Sequence, residues 1–209
     1  MTQSRIIAGS RGGRRITMPP GDGTRPTTDR VREALFSAVA AWAGTGAQPA
    51  EESLAGLAFC DLYAGSGAVG LEAASRGASP VLLVERDPRT ARLIESNAQA
   101  LGLSVDIAAT SVPKLLRRPP AHAFDVVFAD PPYELDTTIL SDQLEQLVAN
   151  FWVAEGSLIV VERSRRSPDL VWPTAAAKRW SRSYGETILS FASIEPESAG
   201  SAPDRAPPC

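Results

Sequence analysis

The stretch Ala129-Asp130-Pro131-Pro132-Tyr133 has residue types and spacing that could do chemistry on a planar amine. Asp130 and the backbone carbonyls after it are acceptors, and Tyr133 is a flat stacking surface. Together they suit a ring that carries an exocyclic NH2. Two acceptors hold the amino hydrogens while the ring lies against the tyrosine. Holding those hydrogens localises the nitrogen lone pair and aims it at an electrophile, so no proton need leave before attack. The same tetrapeptide could equally be a turn that ends a strand, and the rest of the chain has to decide.

The element that must carry this stretch is the apolar run Phe124-Asp125-Val126-Val127-Phe128, which reads as a buried strand. Pro131 and Pro132 end it, because neither has an N–H to give to a ladder. The acid and the aromatic ring are thereby placed at a strand's carboxyl edge, where open α/β sheets bind ligands. A second run, Leu57 to Tyr63, reads as another buried strand and passes directly into Ala64-Gly65-Ser66-Gly67-Ala68-Val69-Gly70. A helix follows to Arg76, with Gly77 as its stop. Pro80 to Glu85 is the next strand; Pro88 opens a helix that Gly102 ends. This is a βαβ unit with a glycine loop at its first turn and an acid at the tip of its second strand.

Glycines let a ligand approach the backbone, and the helix start offers free N–H groups. Glu85 is placed to accept both hydroxyls of a ribose. Gly65, Gly67 and Gly70 also spell the dinucleotide fingerprint, with Glu85 following 20 residues after Gly65. An NAD-dependent reductase is therefore a competing reading. Asp61 stands four residues before Gly65, where an anion would repel a pyrophosphate and welcome an ammonium group. No Tyr–Lys or His–Asp pair suited to hydride chemistry is apparent.

The totals narrow the field. The 209 residues fit one domain, and 44% hydrophobic residues are enough for a sizeable core. Residues 1–32 hold seven arginines against two aspartates, a balance of +5, so the remainder of this −3 chain carries −8. That asymmetry points to an anionic partner for the N-terminal end. Cys60 lies in an apolar strand and Cys209 ends a polar tail, which gives neither a disulfide framework nor metal-ligand spacing. No metal is expected. His122, the one histidine, reads as a surface residue. The opening residues form no leader and no long apolar run occurs, so a cytoplasmic protein is expected.

Ser4–Ala8 and Arg14–Met18 are short β-prone pieces joined by the glycine-rich Gly9–Gly13, which predicts a hairpin. With few apolar residues it must lean on the main domain or remain mobile. Its arginines would grip a nucleic-acid backbone; a solvated charged terminus is the plainer reading. Residues 1–23 are thus an arm and linker, 24–193 the main domain, and 194–209 a Pro/Ser/Ala-rich tail expected to be disordered. Thr27 or Thr28 caps a first helix with the stripe Val31, Leu35, Phe36, Val39 and Trp42. Val105–Ala108 is a third strand, and Val112 to Arg118 a short helix. Thr138 to Val148 is a helix expected to point Ile139, Leu144, Leu147 and Val148 inward. Leu158–Glu162, Lys178–Tyr184 and Thr187–Phe191 are the remaining strands, the last two forming an antiparallel finish.

Asp61-Leu62-Tyr63-Ala64-Gly65-Ser66-Gly67, Glu85 and Asp130-Pro131-Pro132-Tyr133 together resemble the class I S-adenosylmethionine (SAM) methyltransferases that modify exocyclic amino groups. With Arg25-Pro26-Thr27-Thr28-Asp29-Arg30-Val31-Arg32-Glu33-Ala34-Leu35-Phe36, Leu71–Ala78 and Arg182–Thr187, the chain is similar to the RsmD family from about Arg5 to Phe191. The resemblance implies a Rossmann-like α/β fold of seven strands, six parallel and one antiparallel, with helices on both faces. It implies methylation of a guanine N2 in small-subunit (16S) ribosomal RNA, guanine 966 in the family's naming, within an assembling 30S particle. SAM is the implied cofactor and S-adenosylhomocysteine the product. It further implies that Tyr63, Ala64, Gly65, Ser66 and Gly67 cradle the cofactor and that Asp61 faces its ammonium. Glu85 would hold the ribose, Arg86 flank the adenine, and Thr27 and Arg30 close the pocket. Asp130 and the Pro131 carbonyl would grip the guanine amino group. Arg5, Arg11, Arg14, Arg15 and Arg25 would meet RNA, and the enzyme would act as a monomer. Many such enzymes carry an Asp or Asn after the third strand to read the adenine. Here the stretch is Ala108-Ala109-Thr110-Ser111, so that task falls to Thr110, Ser111 or backbone. An adenine-N6 DNA methyltransferase and a non-catalytic nucleotide-binding RNA chaperone are the alternatives.

Overall fold

The computed structural model describes residues 4–19 and 28–195. Arg25, Thr27, linker residues 20–23 and the tail from 196 onward lie outside the described residues. In chain order the elements are β1 (Ser4–Arg5), β2 (Arg15–Ile16), α1 (Asp29–Trp42), β3 (Phe59–Leu62), α2 (Ala68–Ser75), β4 (Val81–Glu85) and α3 (Pro88–Leu101). They continue with β5 (Asp106–Ala109), α4 (Val112–Leu116), β6 (Val126–Ala129), α5 (Thr137–Ala149), β7 (Leu158–Ser164), β8 (Ala176–Tyr184) and β9 (Thr187–Ile194).

Among the described residues, seven strands form one sheet in the order β5-β4-β3-β6-β7-β9-β8. Of these, β9 alone runs against the others, inserted between β7 and β8. The central strands β3 and β6 are buried at every residue, as continuous apolar runs covered on both faces should be. Alternation along the strands divides the core into two layers. Val126, Phe128 and Val160 face Leu35, Phe36, Leu71 and Ile94 of α1, α2 and α3. Val127, Ile159 and Val161 face Leu116, Leu140, Leu144 and Leu147 of α4 and α5.

Strand order reverses between β3 and β6: the chain builds outward through β4 and β5, then returns to β3's other side. The crevice at the carboxyl ends of β3 and β6 is the ligand position such sheets create. The glycine loop leaves β3 there, and Asp130 leaves β6 beside it.

The N-terminal hairpin forms, with Ser4 opposite Ile16, and it leans on the domain. Ile6 and Ile16 are buried in the first core layer. The buried Glu72 carboxylate of α2 accepts the N–H groups of Ile7 and Ala8 at 2.6 and 2.9 Å and pairs with Arg76 at 2.8 Å. Gly9 has φ +81°, and a Cβ there would meet the Ser75 carbonyl oxygen at 2.1 Å, so the turn lies against the end of α2.

Thr28 caps α1 by accepting the Val31 N–H at 3.3 Å. One expectation fails within α5. Ile139 is 48% exposed, and Leu140 is buried in its place. Asp136 caps the helix through the Thr138 N–H at 2.7 Å, and the start it sets turns Leu140, Gln143, Leu144 and Leu147 inward.

Candidate active site

The strand β3 stops because Tyr63 takes a left-handed conformation, φ +64°, which few side chains adopt. Its hydroxyl donates to the Gln143 side-chain oxygen of α5, and burial pushes the phenol up to about 12. Its side chain therefore serves the second core layer, and its backbone opens the glycine loop.

The three loop glycines do different work. A Cβ on Gly67 would lie 2.9 Å from Ile94 Cγ2, and one on Gly70 would lie 2.6 Å from Leu83 Cγ. Both are required for α2 to sit close to β4 and α3. A Cβ on Gly65 would meet nothing nearer than 4.0 Å, although its φ is +54°. Gly65 is the glycine that leaves room for a ligand.

Two acids hold this loop from beneath. Asp61 is only 2% exposed, and its carboxylate accepts the Gly70 N–H at 2.8 Å. Burial pushes its pKa up to about 7; the Gly70 hydrogen bond opposes the shift and the nearby Glu85 charge adds to it. Glu85 ends β4, accepting the Gly65 N–H at 3.0 Å through one oxygen and the Asp87 N–H at 2.8 Å through the other. Parallel register sets Glu85 beside Ala109, so Thr110 and Ser111 leave β5 at the same edge. Arg86 follows Glu85 and is exposed.

On the other side of the crevice, Leu62 pairs with Ala129, which brings Asp130 level with Tyr63. Tyr133 is 78% exposed, a large aromatic ring left in solvent just beyond the carboxyl end of β6. The Pro132 carbonyl closes a turn by accepting the Leu135 N–H at 2.9 Å. Asp130 and Pro131, which precede that turn, set a carboxylate and a carbonyl at the strand end.

Asp61, Tyr63, Ala64, Gly65, Ser66, Gly67, Glu85, Thr110, Ser111, Asp130 and Tyr133 are thus gathered along one sheet edge. The hairpin arginines are divided. Arg11 donates from Nε to the Leu101 carbonyl, and Arg14 donates to the Ala100 carbonyl at 3.3 Å. Those carbonyls end α3, and α3 runs back from the carboxyl edge, so both arginines satisfy a helix terminus at the opposite edge. Arg5 pairs with Asp29 at 3.4 Å, Arg15 is exposed on β2, and Arg30 is exposed in the first turn of α1.

Glu72 and Asn97 were not among the predicted residues. Asn97, buried on α3, accepts the Thr17 N–H at 2.9 Å and donates to the Thr17 carbonyl at 2.9 Å and the Ser66 carbonyl at 3.3 Å. It ties the arm to the glycine loop. A polar residue on the apolar stripe of a helix is the one signal of this role that the sequence carries.

The cluster fits a small organic cation better than a metal. Among the described residues there is no group of three or more His, Cys, Asp or Glu that could hold one. A buried carboxylate beneath an open glycine loop instead suits an ammonium group.

A family model described as conserved hypothetical protein 95 matches residues 4–193. Ribosomal RNA small subunit methyltransferase D of Escherichia coli (strain K12) is 35% identical over 162 residues, which is 77% of this chain and 74% of that protein. The solved structure of yhhF, a candidate methyltransferase of Escherichia coli, superposes with a TM-score of 0.78 at 30% identity, covering 93% of this chain and 99% of that one. The fold also matches a Thermus thermophilus 16S rRNA N2 G1207 methyltransferase solved with AdoMet and guanosine. That match has a TM-score of 0.65 at 20% identity and covers 93% of this chain and 50% of that one.

Proposed function

The chain belongs to the conserved hypothetical protein 95 family, the family of ribosomal RNA small subunit methyltransferase D, and on that premise we propose that it methylates the N2 amino group of a guanine in small-subunit ribosomal RNA. S-adenosylmethionine, as cofactor, supplies the methyl group on a cationic, readily departing sulfur. The substrate belongs to the cytoplasm, as RNA within an assembling small subunit.

The observation that carries the reading is the meeting of two half-sites at one strand-order reversal. The glycine loop and its two acids stand on the β3–β4 side, and Asp130 with an exposed Tyr133 stands on the β6 side. Asp61 provides the counter-charge for the cofactor's ammonium. Gly65 gives its methionine part room, and Glu85 accepts from its ribose hydroxyls. Thr110, Ser111 or the backbone beside them reads the adenine.

On the substrate side, Tyr133 holds a guanine turned out of its stack, which offsets part of the few kcal/mol that unstacking costs. The Asp130 carboxylate and the Pro131 carbonyl accept the two N2 hydrogens. The lone pair then points across the crevice toward the glycine loop. Positioning supplies most of the rate. Once N2 has become cationic, Asp130 accepts its proton.

The test is methyl transfer from isotopically labelled SAM to small-subunit rRNA and, separately, to duplex DNA, followed by digestion to nucleosides. Label in N2-methylguanosine is the expected result. Label in N6-methyladenine would instead favour the DNA alternative, which shares the Asp-Pro-Pro-Tyr arrangement.

A further inference from the structure

Two parts of the chain are strongly basic, and only one of them is evident as a terminus. Residues 163–185 contain five arginines and one lysine against a single acid, Asp169, a balance of +5 in a chain of net −3. This segment forms the end of β7, the loop after it and the whole of β8. Between that loop and the β9–β8 end of the sheet lies an open groove of about 470 Å³, lined by Arg163, Arg165, Arg179, Trp172 and Trp180 among others.

The groove adjoins the catalytic edge. β6 and β7 are parallel with Ala129 beside Val161, so Pro131 leaves its strand next to Arg163. Adjacent strands lie about 4.8 Å apart. The Arg163 guanidinium is oriented by a 3.1 Å bond to Thr137 at the start of α5, the helix that follows Tyr133. Trp180 is stacked on Phe191 with ring centroids 5.0 Å apart on the first-core-layer face of the sheet, opposite to Arg179, so Trp172 is the aromatic ring on the arginines' side. Arg165, Arg166 and Arg179 are exposed, and Arg166 is paired with Glu186 at 3.2 Å. Arginine forks onto phosphates and stacks on bases, and aromatic rings interleaved with such cations form the usual platform for a single strand. Arg165 and Arg179 donate to the Gly185 carbonyl at 3.4 Å and the Ala176 carbonyl at 2.6 Å within this same part of the sheet, whereas Arg11 and Arg14 of the hairpin are bonded to α3 carbonyls at the far edge.

We propose that this groove, and not the hairpin tip, receives the single-stranded RNA flanking the target nucleotide and delivers it to Asp130. The inference rests on the RNA-methylation reading above. Phosphates lie along Arg163, Arg165 and Arg179, and a flanking base reaches Trp172.

The test compares the full-length wild type with Arg165→Glu/Arg179→Glu and, as a milder pair, Arg165→Gln/Arg179→Gln. Protein-free small-subunit rRNA is titrated at several salt concentrations, SAM affinity is measured by calorimetry, and methyl-transfer kinetics are followed. Charge reversal should weaken RNA binding about tenfold or more and reduce the slope of log K against log salt by about 0.7 for each phosphate no longer neutralised. It should raise KM for RNA with kcat retained, and leave SAM affinity unchanged. The Gln pair should show the same pattern, smaller. RNA affinity and salt slope within about twofold of wild type would overturn the groove while leaving the methyltransferase reading intact. A loss seen only with assembled subunits would assign the groove to a ribosomal protein and likewise overturn it. A wild type that neither binds nor methylates small-subunit rRNA, whether protein-free or in assembling particles, removes the reading on which the groove depends.

Discussion

The Asp61 carboxylate accepts the Gly70 N–H at 2.8 Å while almost wholly shielded from solvent. One bond thus joins the carboxyl end of β3 to the first turn of α2 and places a desolvated acid directly below the glycine loop. A group raised from 3.8 to about 7 in the folded protein keeps a proton that the unfolded chain has already released. Its stabilising contribution is fully present below about pH 4 and is lost as pH rises to about 7. A cationic ligand reverses the preference, because it favours the carboxylate. SAM affinity should therefore increase as pH rises through about 7, with proton release on binding. Calorimetry in buffers of different ionisation enthalpy checks this; Asp61→Asn should bind weakly and show no such dependence.

Gly70 and Gly65 should respond differently to the same change. In Gly70→Ala the new Cβ meets Leu83 Cγ at 2.6 Å and Asp61 Oδ2 at 3.2 Å. Overpacking of this kind costs about 1–3 kcal/mol, at about 2–4 °C of Tm per kcal/mol for a chain of this size. In Gly65→Ala the methyl enters open space, so the cost is mainly the left-handed backbone, about 1–2 kcal/mol. The loss there should appear chiefly as weaker SAM binding. Thermal melts with and without SAM separate the two.

Asn97 links the arm to the cofactor loop through Thr17 and Ser66. Asn97→Ala should cost about 1–3 kcal/mol of stability, since a buried polar cluster loses its centre. Amide exchange at Thr17 should quicken, and SAM affinity should fall with it. Faster exchange at Thr17 with unchanged SAM affinity would confine Asn97 to holding the arm.

Much of this site is legible in the sequence because its elements are abrupt. β3 and β6 are apolar runs followed closely by Gly65 and by Pro131, and those residues place both half-sites without knowledge of the fold. What stays hidden depends on contacts across long stretches of chain. Arg11 and Arg14 look like free cations, yet they bond carbonyls 90 and 86 residues away. Glu72 finds its partners 65 residues earlier, in Ile7, and 64 earlier, in Ala8. The inward face of α5 differs from the expected one at Ile139, because Leu140 is equally apolar and periodicity alone does not choose between neighbours. The basic run after β7 is masked because the net charge of the chain beyond residue 32 is acidic.

Tyr133 is exposed to solvent, so its removal should not harm the fold. Stacking of one base on an aromatic ring is worth about 1–3 kcal/mol. Tyr133→Ala should lower kcat/KM for RNA by about 5- to 150-fold with Tm unchanged, and Tyr133→Phe should recover most of it. A Phe variant as impaired as Ala would give the hydroxyl, and not the ring face, the leading role.

The most direct measurement pairs two quantities in Asp130→Ala: SAM affinity by calorimetry and single-turnover methyl transfer to rRNA. If Asp130 steers the amine, SAM affinity stays within about twofold while the transfer rate drops by about 10²–10³-fold or more. Transfer at the wild-type rate, or a collapse of SAM binding that accounts for the lost activity, would contradict that role.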